Sequence, residues 1–197
     1  MNREKVSRGD GSTRKRILEA ATRRFANASY DAIGLRDIAT DVGVDVAHVH
    51  RSFGSKEALF LEVLRGIPPE LDLPRIDPAA LPVALAQKLF DRRQALPGDQ
   101  VDPLVLFIRA LSVPAAAPVI RDQLMKHVID PIDSKSPGTS TFAAASVMSL
   151  LLGLSILRNI LKLPEVTNID RAEAEAVVAK AIAGLLAENT AGGFRRL

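Results

Sequence analysis

The chain has 197 residues, 47% of them hydrophobic, which is enough to bury a core in one large or two modest domains. It has no cysteine, which excludes disulfides, thiol chemistry and cysteine zinc sites. An aromatic content of 4% with no Trp leaves a core of Leu, Ile, Val and Ala, which suits helices. The formal excess of +3 sits at one end: residues 1–66 hold 12 basic and 9 acidic side chains, and residues 67–197 hold 14 of each.

The opening stretch MNREKVSRGDGSTRKR is polar and basic with no apolar run, so it does not read as a signal peptide, and a cytoplasmic location is expected. Residues 1–12 read as a flexible basic arm carrying Arg3, Lys5 and Arg8. From Thr13 the spacing predicts a helix with Ile17, Ala20, Ala21 and Phe25 on one side and basic residues on the rest. Thr13 is open to two roles, helix cap or backbone contact. The stretch LRDIATDVGVDVAHVHRSFGSK, residues 35–56, predicts two short helices joined by a tight turn. Ile38, Ala39 and Val42 share a face, Gly43 supplies the left-handed turn, and Val44 plugs the corner. Asp45 is placed to cap a second helix whose apolar face is Val49 and Phe53. A small residue at Ala39 lets the helices cross closely, as a helix-turn-helix requires. In such a unit the second helix lies in the major groove. A further helix starts at Ser55 and turns Leu59 and Val63 inward.

Gly66-Ile-Pro-Pro and Asp72-Leu-Pro-Arg-Ile-Asp-Pro predict a proline-rich connection between two halves. Helical patterns follow at about 79–96, 103–112, 115–132, 141–163 and 170–189, separated by Pro97-Gly98-Asp99, Pro114, the run from Ser134 to Thr139, and Pro164-Glu-Val-Thr-Asn. No segment alternates with period two, so an all-α chain is expected. The stretch FAAASVMSLLLGLSIL, residues 142–157, carries no charge, but it is shorter than the ~20 residues of a spanning helix. It reads as a helix buried on all sides, one side facing its own domain and the other a partner subunit, and no membrane is expected. The tail from Ala191 is expected to fray.

The side chains expected to face DNA are Arg14, Arg36, Asp45, Val46, Ala47, His48, His50, Arg51, Ser55 and Lys56. Arg36 or Arg51 can reach a guanine edge, Val46 or Ala47 a thymine methyl, and His48 a base or a phosphate. Ser55 is equally a cap for the helix it begins. A basic first helix alone reads as a solvated face; beside a helix-turn-helix it reads as a phosphate-binding one. Catalytic material is thin. His48 and His50 point about 200° apart on a helix and cannot share a metal. His127 is read first as a surface or interhelical hydrogen bonder. The chain contains no HExxH, no GxSxG and no phosphate-cradling glycine loop, so neither catalysis nor a metal or cofactor is expected.

Residues 13–65 resemble the N-terminal domain of the tetracycline-repressor (TetR) family of transcriptional regulators. The matching elements are Ile17-Leu18-x-Ala20-Ala21-x(3)-Phe25, Ile38-Ala39-x(3)-Gly43-Val44 and Phe53-x-Ser55-Lys56-Glu57-x-Leu59. Two positions depart from the family pattern: Asp45 stands where Ser or Thr is usual, and His50 where Tyr is usual. Both usual residues tend to touch phosphate; Asp45 caps but repels phosphate, and His50 can serve as a donor. The resemblance makes Lys56 a phosphate clamp. More loosely, the run from Leu104 through Arg109 to Pro114, with Ile120 to Leu124 and Ile129 to Ile132, resembles C-terminal domains of actinobacterial type found on TetR-family proteins. That implies 13–66 as DNA-binding domain and 67–190 as a helical ligand-sensing and dimerisation domain, with the last two long helices pairing with their symmetry mates.

Polar groups expected to line the ligand cavity are Arg109, Gln123, His127 and Asn159, each of which is also readable as a core hydrogen bonder or an exposed residue. Their apolar surroundings point to a mostly apolar small molecule. The function expected is a homodimeric repressor on a palindromic double-stranded operator, released when ligand shifts the helix Ser55–Arg65. An activator, or a ligand-independent regulator of the same fold, is the alternative.

Overall fold

The computed structural model describes residues 5–67, 73, 76–91, 101–135 and 140–187. Arg3, Pro97-Gly98-Asp99, parts of the proline-rich connection and the tail from Ala191 lie outside them. The described residues are helical, with no strand among them. They fall into two compact units, the first of residues 1–68 and 95–121, the second of residues 69–94 and 122–197.

The first unit begins with α1, Lys5–Asn27. The expected start was Thr13, with an arm before it; instead residues 5–12 are helical. Once Ile17, Ala20, Ala21 and Phe25 anchor the helix in the core, each preceding residue adds a hydrogen bond at little nucleation cost, and no proline stands in the way. Helix α2, Leu35–Val42, starts at Gly34, whose N–H donates to Asp37 Oδ2 at 2.7 Å. It ends at Gly43, φ +73°, in a Schellman arrangement: Gly43 N–H donates to Thr40 O at 3.1 Å and Val44 N–H to Ala39 O at 3.0 Å. Helix α3, Val46–Phe53, and α4, Lys56–Arg65, follow, separated by Gly54 at φ +81°. Helix α1 packs on α2 and α4, and α2 on α3.

The core of this unit joins Ile17, Phe25, Ile38, Ala39, Val49, Phe53, Leu59, Phe60 and Val63. It also takes in Leu106, Ala110, Val113, Ala116 and Val119, from α6 (Pro103–Ala110), the 3-10 turn Pro114–Ala116 and α7 (Ala117–Leu124). Leu106 is fully buried, and burial of a leucine contributes about 1.5–3 kcal/mol. Residues 101–121 therefore fold as part of the helix-turn-helix unit, although the prolines suggested a division near residue 66.

The second unit contains α5 (Leu81–Asp91), α8 (Asp130–Lys135), α9 (Thr141–Ser155), the one-turn α10 (Pro164–Thr167) and α11 (Arg171–Ala187). Its core is Leu81, Leu85, Phe90, Ile132, Val147, Val178, Ile182 and their neighbours. Helix α11 packs on α5 and α9, and the Arg171 guanidinium ties the two ends by pairing with Asp91 and, at 2.5 Å, with Glu175. Two π-helical turns, Met125–Ile129 and Ile156–Ile160, extend α7 and α9. With its extension, α9 runs 20 residues, Thr141–Ile160, within the 141–163 span expected, and it meets the length and composition of a spanning helix; 22% of its most apolar 18-residue window is buried within the chain.

Candidate nucleic-acid interface

The Gly43 turn sets α3 across α2, and three polar links between α1 and its neighbours hold that arrangement. Arg24 forks onto Asp41, Nε to Oδ2 at 2.6 Å and Nη2 to Oδ1 at 2.7 Å. Arg16 Nη2 donates to Val42 O at 2.6 Å, satisfying a carbonyl at the end of α2. Arg14 Nη1 lies 2.6 Å from Glu62 Oε1 on α4, and its guanidinium carbon stands 4.5 Å over the Phe53 ring on α3. The Arg24 fork holds the Asp41 carboxyl below its ordinary range, mainly through the hydrogen bond, and the same contact raises Arg24.

Helix α3 separates its faces cleanly. Val49 and Phe53 are buried, while Ala47, His50 and Arg51, spaced i, i+3 and i+4, are exposed together. Val46 and His48 are half-buried at the flanks, Val46 packing against the core. Asp45 is exposed, and its Oδ1 accepts from Ala47 N–H at 2.6 Å, the cap expected from the sequence. Among the described residues, the ion pairs of this unit are Arg14–Glu62, Lys15–Glu19 and Arg24–Asp41. Exposed Arg36 and Arg51 therefore hold no carboxylate partner among the described residues.

His50 Nδ1 lies 3.1 Å from Gly54 O, which can only accept, so Nδ1 carries the proton. The neutral ring then presents Nε2 outward as an acceptor, and only the imidazolium presents a donor there. Ser55 caps α4, its Oγ accepting from Ala58 N–H at 3.0 Å and its own hydroxyl proton remaining available to donate. Lys56 Nζ lies 4.2 Å over the ring of Tyr30, a contact that the sequence reading missed. Tyr30 is the only tyrosine of the chain, and that was the only available signal. Burial, then Glu57 and Asp31, raise its hydroxyl pKa, so the phenol stays neutral. The Gly34–Asp37 cap was also missed, although an acid three residues after a cap position is a capping-box spacing.

The expected ligand residues divide between the units. Arg109 lies on α6 in the first, half-buried, with Nε shielded and without a hydrogen-bond partner among the described residues. Gln123, His127 and Asn159 lie in the second, His127 and Asn159 on the two π-helical turns. Asn159 Nδ2 is likewise shielded and unpartnered among the described residues. No group of three or more His, Asp or Glu is placed to hold a metal ion among the described residues.

Comparison with known proteins agrees with this geometry. Residues 17–63 match the family described as bacterial regulatory proteins, tetR family, and residues 79–186 match the tetracyclin repressor-like C-terminal domain. The multidrug binding protein EbrR, solved with proflavin, superposes with a TM-score of 0.60 at 20% identity, covering 88% of this chain and 99% of that one. A TetR-family regulator from Streptomyces coelicolor superposes with a TM-score of 0.50 at 25% identity, covering 90% of this chain and 96% of its own. A search of curated proteins finds no relative. The two family matches span most of the sequence and both compact units, so this chain belongs to the TetR family of DNA-binding transcriptional regulators and is not an enzyme.

Proposed function

We propose that the chain acts as a cytoplasmic homodimeric repressor that leaves its operator when a small, mostly apolar molecule binds the C-terminal domain. The observation that carries the DNA-facing part is the exposed Ala47, His50 and Arg51 face of α3. Arg36 and Arg51 are the guanine readers in this reading, Val46 and Ala47 meet a thymine methyl, and His48, His50, Ser55 and Lys56 meet phosphate or base. Arg14 serves the interface by holding α3 and α4 together rather than by meeting a phosphate, because Glu62 already neutralises it.

Dimerisation is supported by the apolar surface that α9 and α11 leave uncovered. Phe142 is 73% exposed and Val177 61%, and most residues of the 141–160 helix are only half-buried by their own chain. A second copy laid against these helices removes that surface from water, and two α3 helices about 34–36 Å apart then read a palindrome. Ligand sensing is supported by the fold shared with a multidrug binding protein solved with proflavin. Gln123, His127 and Asn159, all of the second unit, are the polar groups assigned to that site. Release follows from linkage: a ligand that favours a non-binding position of α4 binds free protein more tightly than DNA-bound protein.

The test is a fluorescence-anisotropy titration with duplex DNA from immediately upstream of the chain's own gene, beside a scrambled duplex, at two salt concentrations. Selective binding at two subunits per site supports the reading. Equal, weak binding to both duplexes, lost as salt rises, refutes it for that operator. A reporter that rises on deletion of the gene marks a repressor, and one that falls marks an activator.

A further inference from the structure

We propose that Tyr30 is the positioning residue for the phosphate contact of Lys56, its ring acting as a platform that holds the ammonium aimed before DNA arrives. This rests on the reading of Lys56 as a phosphate contact. Lys56 is the first residue of α4, directly after the Ser55 cap. A cation is poorly placed there, because the N-terminal end of a helix carries partial positive charge and repels it. A lysine also has a long flexible stem, and left alone its ammonium would move off into water. Instead Nζ stands 4.2 Å over the centroid of the Tyr30 ring, whose negative face attracts it.

The platform is itself fixed. Tyr30 stacks on Phe25 with centroids 6.0 Å apart and tilts against Phe60 at 5.1 Å, and Phe25 meets Phe60 edge-on at 4.7 Å. Phe25 and Phe60 are both 1% exposed, so the Tyr30 ring rests on the rigid core of the unit, with α1 on one side and α4 on the other. The ring engages one side of the ammonium, and an ammonium has three donors, so N–H groups remain for a phosphate oxygen. The neutral phenol adds no charge to repel that phosphate. Tyr30 thus does for Lys56 what hydrogen-bonded neighbours do for a metal ligand: it removes the ordering step from the binding event.

The test is a double-mutant cycle read by anisotropy with the full-length chain on its operator across a salt series. Lys56→Ala lowers the salt slope by about one unit per subunit. In the wild-type background Tyr30→Leu weakens binding about two- to fivefold, and in the Lys56→Ala background it has no further effect. Tyr30→Phe, which keeps the ring and drops the hydroxyl, binds like wild type. Equal weakening by Tyr30→Leu in both backgrounds overturns the proposal, as does a Tyr30→Phe variant as weak as Tyr30→Leu, which would assign the effect to a hydroxyl contact. An unchanged salt slope in Lys56→Ala instead overturns the phosphate reading beneath it. Should Tyr30→Leu lose helicity, NMR on folded wild-type and Tyr30→Phe protein decides. An upfield ring-current shift of the Lys56 Cε protons in both supports the platform, and its absence overturns it.

Discussion

Asp45 joins two effects of opposite sign, and substitutions can separate them. Its carboxylate accepts from Ala47 N–H at 2.6 Å and lies beside the positive end of α3, so it stabilises the fold. Loss of such a cap costs about 1 kcal/mol, and loss of a charge from a helix N-terminus a further ~0.3–1 kcal/mol. The same carboxylate is exposed at the start of the helix proposed to face DNA, where a negative charge about 4 Å from a phosphate would cost ~1 kcal/mol in water-like surroundings. Asp45→Asn keeps a capping oxygen and removes the charge. It is expected to lower stability by less than about 1 kcal/mol and to tighten operator binding about fivefold per subunit, an effect that fades as salt rises. Asp45→Ala loses both stabilising terms, about 1–2 kcal/mol, and gains similarly in affinity once folded. Urea denaturation and anisotropy titration measure the two quantities independently. Weaker binding by Asp45→Asn would refute the repulsion argument and make the carboxylate an acceptor for a base, such as a cytosine amino group. An Asp45→Ala variant as stable as wild type would refute the cap.

Gly43→Ala should destabilise the fold by about 1–2 kcal/mol with an unchanged urea m-value. A methyl at Gly43 meets no atom within 4 Å, so the cost is that of φ +73° alone, and a neutral outcome would mean the turn relaxes. Ala47→Glu should abolish selective operator binding while moving the stability by less than about 0.5 kcal/mol, since Ala47 is exposed; a large drop in the melt would mean that the residue is packed. The Arg24–Asp41 fork should show in acid. Because the folded carboxyl holds its proton less tightly than the unfolded one, the stabilisation is complete above about pH 4 and is lost as pH falls through the lower folded value. Denaturation midpoints across that range should fall less steeply for Asp41→Asn than for wild type, and parallel curves would contradict the assignment.

The helix-turn-helix was legible because its signals are local. Gly43 at a left-handed position, Asp45 and Ser55 as caps, and Ile38, Val42, Val49 and Phe53 at helical spacing are each readable within four residues. Contacts between residues far apart in sequence left no such trace. Lys56 over Tyr30, Arg14 between Phe53 and Glu62, and Arg16 on Val42 O depend on how the helices cross. Arg14, expected to face DNA, is exposed and also bridges α3 and α4 through Phe53 and Glu62. The start of α1 was misplaced because Thr13 has the chemistry of a cap, while helix propagation needs only the absence of a breaker. The π-helical turns were invisible, since one extra residue per turn barely disturbs an apolar pattern as uniform as that of α9.

The membership of residues 101–121 in the first core bears on how such regulators can be recombined. A chimaera spliced after α4, where the prolines invite a cut, would graft a DNA-reading head without Leu106, Ala110, Val113 and Ala116, exposing the side chains they cover. The recipient's own segment would have to match that surface by chance. A graft that carries Pro103–Ala110 and its following turn along with the head keeps each side chain with its original neighbours. The transplantable module of this protein is thus discontinuous in sequence, and its specificity should travel only when both pieces do.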